Sequence, residues 1–157
     1  MDIDTLFGLP AHPLIVHAAV VLLPIAAVGL IVVALVPKAR RHYAPVVLAI
    51  ALAATIAVGM AQQSGESLEG QVKRTEQVEE HTEQGQTVLP WAIAVTIVSA
   101  AVAAEPYLRD RLGKVSPKVV AGVLISASVI AGVGATWTVI EVGHSGATSV
   151  WSDTSED

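Results

Sequence analysis

The chain has 157 residues, a length that suits one domain. Hydrophobic residues make up 53% and charged residues only 15%, too few to clothe a soluble globule, and the mean hydropathy is +0.62. There is no cysteine, which excludes disulfides and thiolate metal sites, and a net charge of −5 gives nucleic-acid binding no support.

The first residues include Asp2 and Asp4, and no Lys or Arg precedes Lys38. A secretory signal has the opposite charge pattern, so the first apolar stretch is expected to stay in the protein as a membrane span. Crossing a hydrocarbon core about 30 Å thick takes roughly 20 helical residues. Four stretches approach or exceed that, at about 13–36, 44–61, 87–104 and 119–140, and none contains Lys, Arg, Asp or Glu. The expected fold is all-α: one integral membrane domain over 1–157, an up-and-down four-helix bundle. Pro13, Pro45 and Pro90 fall at or near helix starts, where a missing N–H costs nothing. Pro24 falls inside the first span and should free the Val20 carbonyl and kink the helix. Gly29, Gly59, Gly122, Gly132 and Gly134, with many alanines, predict close approach between helices.

Residues 62–86 are too polar for the bilayer, yet Leu68, Val72, Thr75, Glu79 and Thr82 follow a helical stripe. Helices two and three are therefore expected to extend beyond the outer face and turn near 70–74. A loose acidic loop is the alternative.

Seven of the nine Lys and Arg residues lie in the loops after spans one and three: Lys38, Arg40, Arg41, Arg109, Arg111, Lys114 and Lys118. The other side holds only Lys73 and Arg74 among many acidic residues. The positive-inside rule then places both termini outside the cytoplasm, in a multi-pass protein of a bacterial inner membrane.

Five histidines are present. His42 sits in the basic loop and reads as solvated. His12 and His17 enter the first span, His81 lies just above the third, and His144 just beyond the fourth, so all four approach the outer face. Glu66 stands at the outer end of the second helix. Neutral imidazole is a ligand for zinc, copper and haem iron, and bundle sites are built from groups that converge from different helices. His17, within a span, should face the interior or water. His12 and His17 are about 140° apart on an ideal helix, so they share one centre only if His12, which precedes Pro13, leaves the helix. No HxxxH or ExxH spacing occurs. Each histidine alone is most simply an interfacial anchor or a partner for a backbone carbonyl. Four on one face make a site an equal alternative. Glu69, Glu76, Glu79, Glu80 and Glu83 read as a solvated face, and Trp91, Trp137 and Trp151 as interfacial or packing residues. Ser145, in GHSG, lacks the strand that a hydrolase elbow needs.

Four segments occur in order: LPAHPLIVHAAVVLLP at 9–24, SGESLEG at 64–70, EEHTEQGQTVLPW at 79–91 and VGHSGATSVW at 142–151. Together, over nearly the whole chain, they resemble domain-of-unknown-function family 2231, predicted bacterial membrane proteins, with the actinobacterial branch the expected placement. The family has no established activity. Its broad similarity to two-haem membrane cytochromes, and the joining of some relatives to Rieske-type iron–sulfur domains, imply a respiratory or redox setting. His12, His17, Glu66, His81 and His144 are the residues that fall within the matching motifs. Relatives often carry Asp where this chain has His144, which implies a polar or metal position there. Two-haem cytochromes place ligands near both membrane faces, whereas these histidines lie near one.

The expected function is a small redox- or respiration-associated membrane protein that binds haem b or a transition-metal ion (Zn, Cu or Fe). His17, His81, His12 and His144 are the expected cofactor contacts, the first two foremost. His17, His81, His144 and Glu66 are the expected metal set. The alternative is a structural or accessory subunit without redox chemistry, whose His/Glu cluster braces the bundle or contacts a partner. A third reading is a proton-responsive element using the same histidines near about pH 6. The expected partners are the lipid bilayer and a respiratory or redox membrane protein, and a homo-oligomer is compatible with the small-residue faces. Nothing names a substrate.

Overall fold

The structure, a computed structural model, describes residues 5–6, 9–69, 75–109, 111, 113 and 115–151. A minimal antiparallel pair, β1 (Thr5–Leu6) and β2 (Leu9–Pro10), leads directly into the first helix. Among the described residues five helices follow: α1 (Ala11–Leu35), α2 (Pro37–Glu69), α3 (Glu76–Gln86), α4 (Val88–Leu108) and α5 (Pro117–Trp151). Thr87 alone separates α3 from α4, and its N–H bonds back to the preceding turn, so the two form one long rod. Four helical rods are thus long and apolar enough to cross a membrane.

Local chemistry explains the breaks. Val36 precedes Pro37, which restricts it, and it is the only residue between α1 and α2. Pro37 opens α2, where its missing N–H is harmless. The carbonyls left over at the end of α1 are taken by Arg40, which donates to Ala34 O at 2.7 Å and Val33 O at 3.4 Å. At the start of α3, Thr75 Oγ1 accepts from Val78 N at 3.3 Å, and Glu76 and Glu79 complement the positive helix end.

One expectation from the sequence is corrected. Pro45 does not start a helix but lies inside α2, because the helix continues through the basic residues 38–41, one of which is buried. The second and third rods extend beyond their apolar stretches as expected, and α5 also runs on, to Trp151. The expected turn at 70–74 lies outside the described residues. α1 passes through Pro24 as one helix.

α1 packs on α2 and α5, α4 packs on the same two, and α1 and α4 meet across the middle. Leu23, Leu30, Val95 and Val102 are fully buried there among alanines. Gly132 faces Ile31 and the Ala27 carbonyl, and the Trp91 ring fills the space that a Cβ at Gly134 would need. These two glycines let α5 approach α1 and α4 closely. Gly59 and Gly122 meet no such neighbour. Across the bundle, Thr55 Oγ1 on α2 lies 2.8 Å from Thr96 Oγ1 and 3.1 Å from Ala92 O on α4.

The outside of the bundle is apolar. Ile25, Val28, Ile56, Ile97, Ile130 and Ile140 are all exposed. In water such a surface would be an aggregation liability, but facing lipid tails it is matched. Trp137, also exposed, belongs to this surface; the Trp91 ring packs inward. Hydrophobic residues on every face, not one stripe, mark these helices as membrane spans.

Candidate functional site at the histidine end

Two ends of the bundle can be named by what they carry. The arginine end holds the α1–α2 and α4–α5 connections. Arg40 Nη1 donates to Glu105 Oε2 at 3.0 Å with both side chains buried. Exposed Arg109 holds the other carboxylate oxygen of Glu105, at 2.7 Å. The sequence placed Arg40 among the basic loop residues and passed over Glu105. Its clue was a lone acid just past an otherwise uncharged span.

The histidine end holds a half-open cavity of about 500 Å³. His12 comes to it from the first turn of α1 and His81 from the middle of α3. Each imidazole is held in the same way by a different helix. His12 Nδ1 lies 2.9 Å from Ser64 Oγ, near the end of α2. His81 Nδ1 lies 3.1 Å from Ser145 Oγ, near the end of α5. Each ring also rests on the glycine after its serine. A Cβ at Gly65 would come within 3.1 Å of His12 Cε1, and one at Gly146 within 2.9 Å of His81 Cε1. A side chain at either glycine would push the imidazole away.

Each serine hydroxyl also reaches a backbone carbonyl of its own helix, Ser64 Oγ to Ala61 O at 3.1 Å and Ser145 Oγ to Val142 O at 3.1 Å. With the hydroxyl hydrogens on those carbonyls, each Nδ1 is the donor to its serine and each Nε2 keeps a lone pair. The two rings line the same cavity, and each lies within electrostatic reach of the other. Most of the remaining wall is apolar, including Val16, Val20, Val58, Leu68, Val78 and Val139. Gln62 Nε2 ties α2 to α3 by donating to Gly85 O at 2.9 Å. The arrangement places two anchored imidazoles on the wall of a largely apolar, half-open cavity of small-ligand size.

The residues singled out in the sequence divide. His12, His81 and Glu66 line the cavity, with Glu66 at its exposed margin. His17 does not line it. His17 is exposed, and its Nδ1 bonds the Pro13 carbonyl one turn back on α1. The reason is the angle noted above, because α1 is helical from Ala11 and His12 is not freed from it. His144 is also exposed and outside the cavity wall. The expected metal set of His17, His81, His144 and Glu66 is therefore not gathered. Among the described residues, no group of three or more His, Cys, Asp or Glu side chains is placed to hold a metal ion. His42 is exposed at the arginine end. The sequence reading passed over Ser64, Gly65 and Gly146, and weighed Ser145 only as a hydrolase nucleophile. The signal was present, since Ser-Gly follows the apolar stretch of both helices that carry it.

Residues 8–156 match the family described as Predicted membrane protein (DUF2231). Searches of curated proteins and of solved structures each return no match.

Proposed function

The chain belongs to the DUF2231 family of predicted membrane proteins, and from that premise we propose that it binds haem b at its histidine end, where His12 and His81 would hold it. It is then a redox- or respiration-associated protein of the bacterial inner membrane, with both termini outside the cytoplasm. The basic residues gathered at the arginine end support that orientation.

One observation carries the reading: two imidazoles, each tied through Nδ1 to a serine hydroxyl, line one apolar cavity. A hydrogen bond from one ring nitrogen is how metal-ligating histidines are oriented, with the lone pair left on the other nitrogen. Two imidazoles are too few for a structural zinc ion, which takes four ligands. They would suffice to hold a haem iron, which needs few ligands from the protein. The 500 Å³ space and its aliphatic walls suit an apolar cofactor. Haem b would supply one-electron redox chemistry. The protein's own part is to bind, to fix the two rings and to exclude water.

The same two hydrogen bonds favour a second reading. Each joins two helices, His12 of α1 to α2 and His81 of α3 to α5, so the imidazoles also serve as braces in an accessory subunit.

Detergent-purified protein separates these readings through its visible spectrum, metal content and hemin uptake. A Soret band that survives in His17→Ala and His144→Ala but disappears in His12→Ala and His81→Ala supports haem. A colourless protein that takes up no hemin and contains no metal supports the brace. A haem spectrum retained in both His12→Ala and His81→Ala sinks the ligand assignment.

A further inference from the structure

A shift of 69 residues lays α1 onto the rod formed by α3 and α4. It carries His12 onto His81. It also carries Ala19, Leu23, Ala26, Leu30 and Val33 onto Val88, Ala92, Val95, Ser99 and Val102, and every one of these core positions is buried. A shift of 81 residues lays α2 onto α5. Val47, Ala51, Ala54 and Val58 then fall on Ser128, Gly132, Ala135 and Val139, again all buried. The same shift carries Ser64 and Gly65 onto Ser145 and Gly146. The shifts differ by twelve residues, and the difference falls at the arginine end. There Val36 alone joins α1 to α2, whereas the last turn of α4 and residues 109–116 lead to α5.

The packing has the same symmetry. Exchanging α1 with α4 and α2 with α5 turns the α1–α2 contact into α4–α5 and the α1–α5 contact into α2–α4, all of which exist, while α1–α4 maps onto itself. Each helix pair starts and finishes at the same membrane face, so the axis that exchanges them runs along the membrane normal. The cavity straddles that axis. Its wall includes the related pairs Ala19 and Val88, Val58 and Val139, and Ala61 and Val142, besides the two histidines and the two glycines.

We infer that the chain is two copies of one two-helix unit, and that the cleft consists of two equivalent imidazole half-sites facing each other across the twofold axis. Ser64 and Ser145 are the positioning residues of these half-sites. Each holds its histidine with Nδ1 protonated, so both Nε2 lone pairs are offered to one ligand. The ligand class is an electron-pair acceptor with two opposed open positions, as in a planar metal complex. Bracing alone does not require both rings to reach one cavity through the same Nδ1–serine contact. For the identity of the ligand the inference rests on the haem reading; for the duplicated site it does not.

Nitrogen-15 NMR of histidine-labelled full-length protein in detergent, at neutral pH with no cofactor added, tests the half-sites directly. His12→Gln and His81→Gln assign the resonances. Both wild-type rings should appear as the Nδ1–H form with an unprotonated Nε2. Ser64→Ala should shift only the His12 resonances and Ser145→Ala only those of His81. Unlike tautomers in the wild type, or hydrogen on Nε2 of either ring, overturn the inference. Hemin titration then compares the two halves, with Ser64→Ala and Ser145→Ala each expected to weaken uptake by about 10- to 100-fold. A loss in one serine variant alone counts against equivalent half-sites. Paired tautomers in a wild type that takes up no hemin overturn the haem reading and leave the duplicated site standing.

Discussion

Arg40 Nη1 donates to Glu105 Oε2 at 3.0 Å, joining the start of α2 to the end of α4 in a place where both side chains are buried. The same guanidinium caps the last carbonyls of α1, so one side chain ties three helices together. Glu105→Ala would leave this cation buried without its carboxylate. The expected loss is about 3 kcal/mol, the scale for breaking a buried pair from one side, read as a lower midpoint of thermal unfolding in detergent. Arg109→Ala removes only an exposed partner, and its expected cost is about 0–1 kcal/mol. Equal effects of the two substitutions would show that Arg40 does not depend on Glu105.

The Trp91 ring occupies the space that a side chain at Gly134 would enter. Gly134→Val is therefore expected to overpack the α4–α5 contact and cost about 1–3 kcal/mol. Gly122→Ala, where no neighbour lies within reach, should be neutral or slightly stabilising. Adding Trp91→Ala should recover part of the Gly134→Val loss. Additive losses in the double variant would argue against direct contact.

Thr55 links α2 to α4 through Thr96 and the Ala92 carbonyl. Hydrogen bonds between membrane helices are worth about 0.6 kcal/mol on average. Thr55→Val should cost about that much, since most of the packing is kept. A loss several-fold larger would point to a hydroxyl role beyond joining these helices.

The absence of native cysteine lets single introduced cysteines report topology cleanly. Glu80→Cys on α3 and Tyr43→Cys near the start of α2 lie at opposite ends of the bundle, and both positions are exposed. In intact cells or right-side-out vesicles, an impermeant maleimide should label Glu80→Cys and leave Tyr43→Cys unlabelled until the membrane is opened. The reverse pattern would invert the proposed orientation and put the histidine end in the cytoplasm.

Much of the architecture was legible in the one-dimensional pattern. Long apolar stretches without charge can only be helices in a bilayer, because every backbone N–H and C=O must be satisfied within the segment. Family membership was legible as well, from motifs around His12, Ser64, His81 and His144. The composition of the site was less so. His17 looked the stronger ligand because it lies deeper in a span, yet it turns outward and bonds the carbonyl of Pro13. His12 ranked behind it because the two lie about 140° apart on an ideal helix, yet it is His12 that reaches Ser64 across the helix interface. Spacing along one helix gives the angle between two side chains but not which of them faces the bundle.

By itself the sequence determined that this chain is a four-span helical membrane protein and that its basic residues collect at one end. Those properties follow from local hydropathy and charge, which need no knowledge of what packs against what. Only the tertiary structure decided that Arg40 is buried against Glu105, and that His12 and His81, not His17 and His144, share a cavity. It also brought out the matching of the two halves. These depend on how each rod is rotated about its axis, which is set by the interlocking of small and large side chains between helices. In lipid, where hydropathy is alike on every face, the sequence pattern leaves that rotation open.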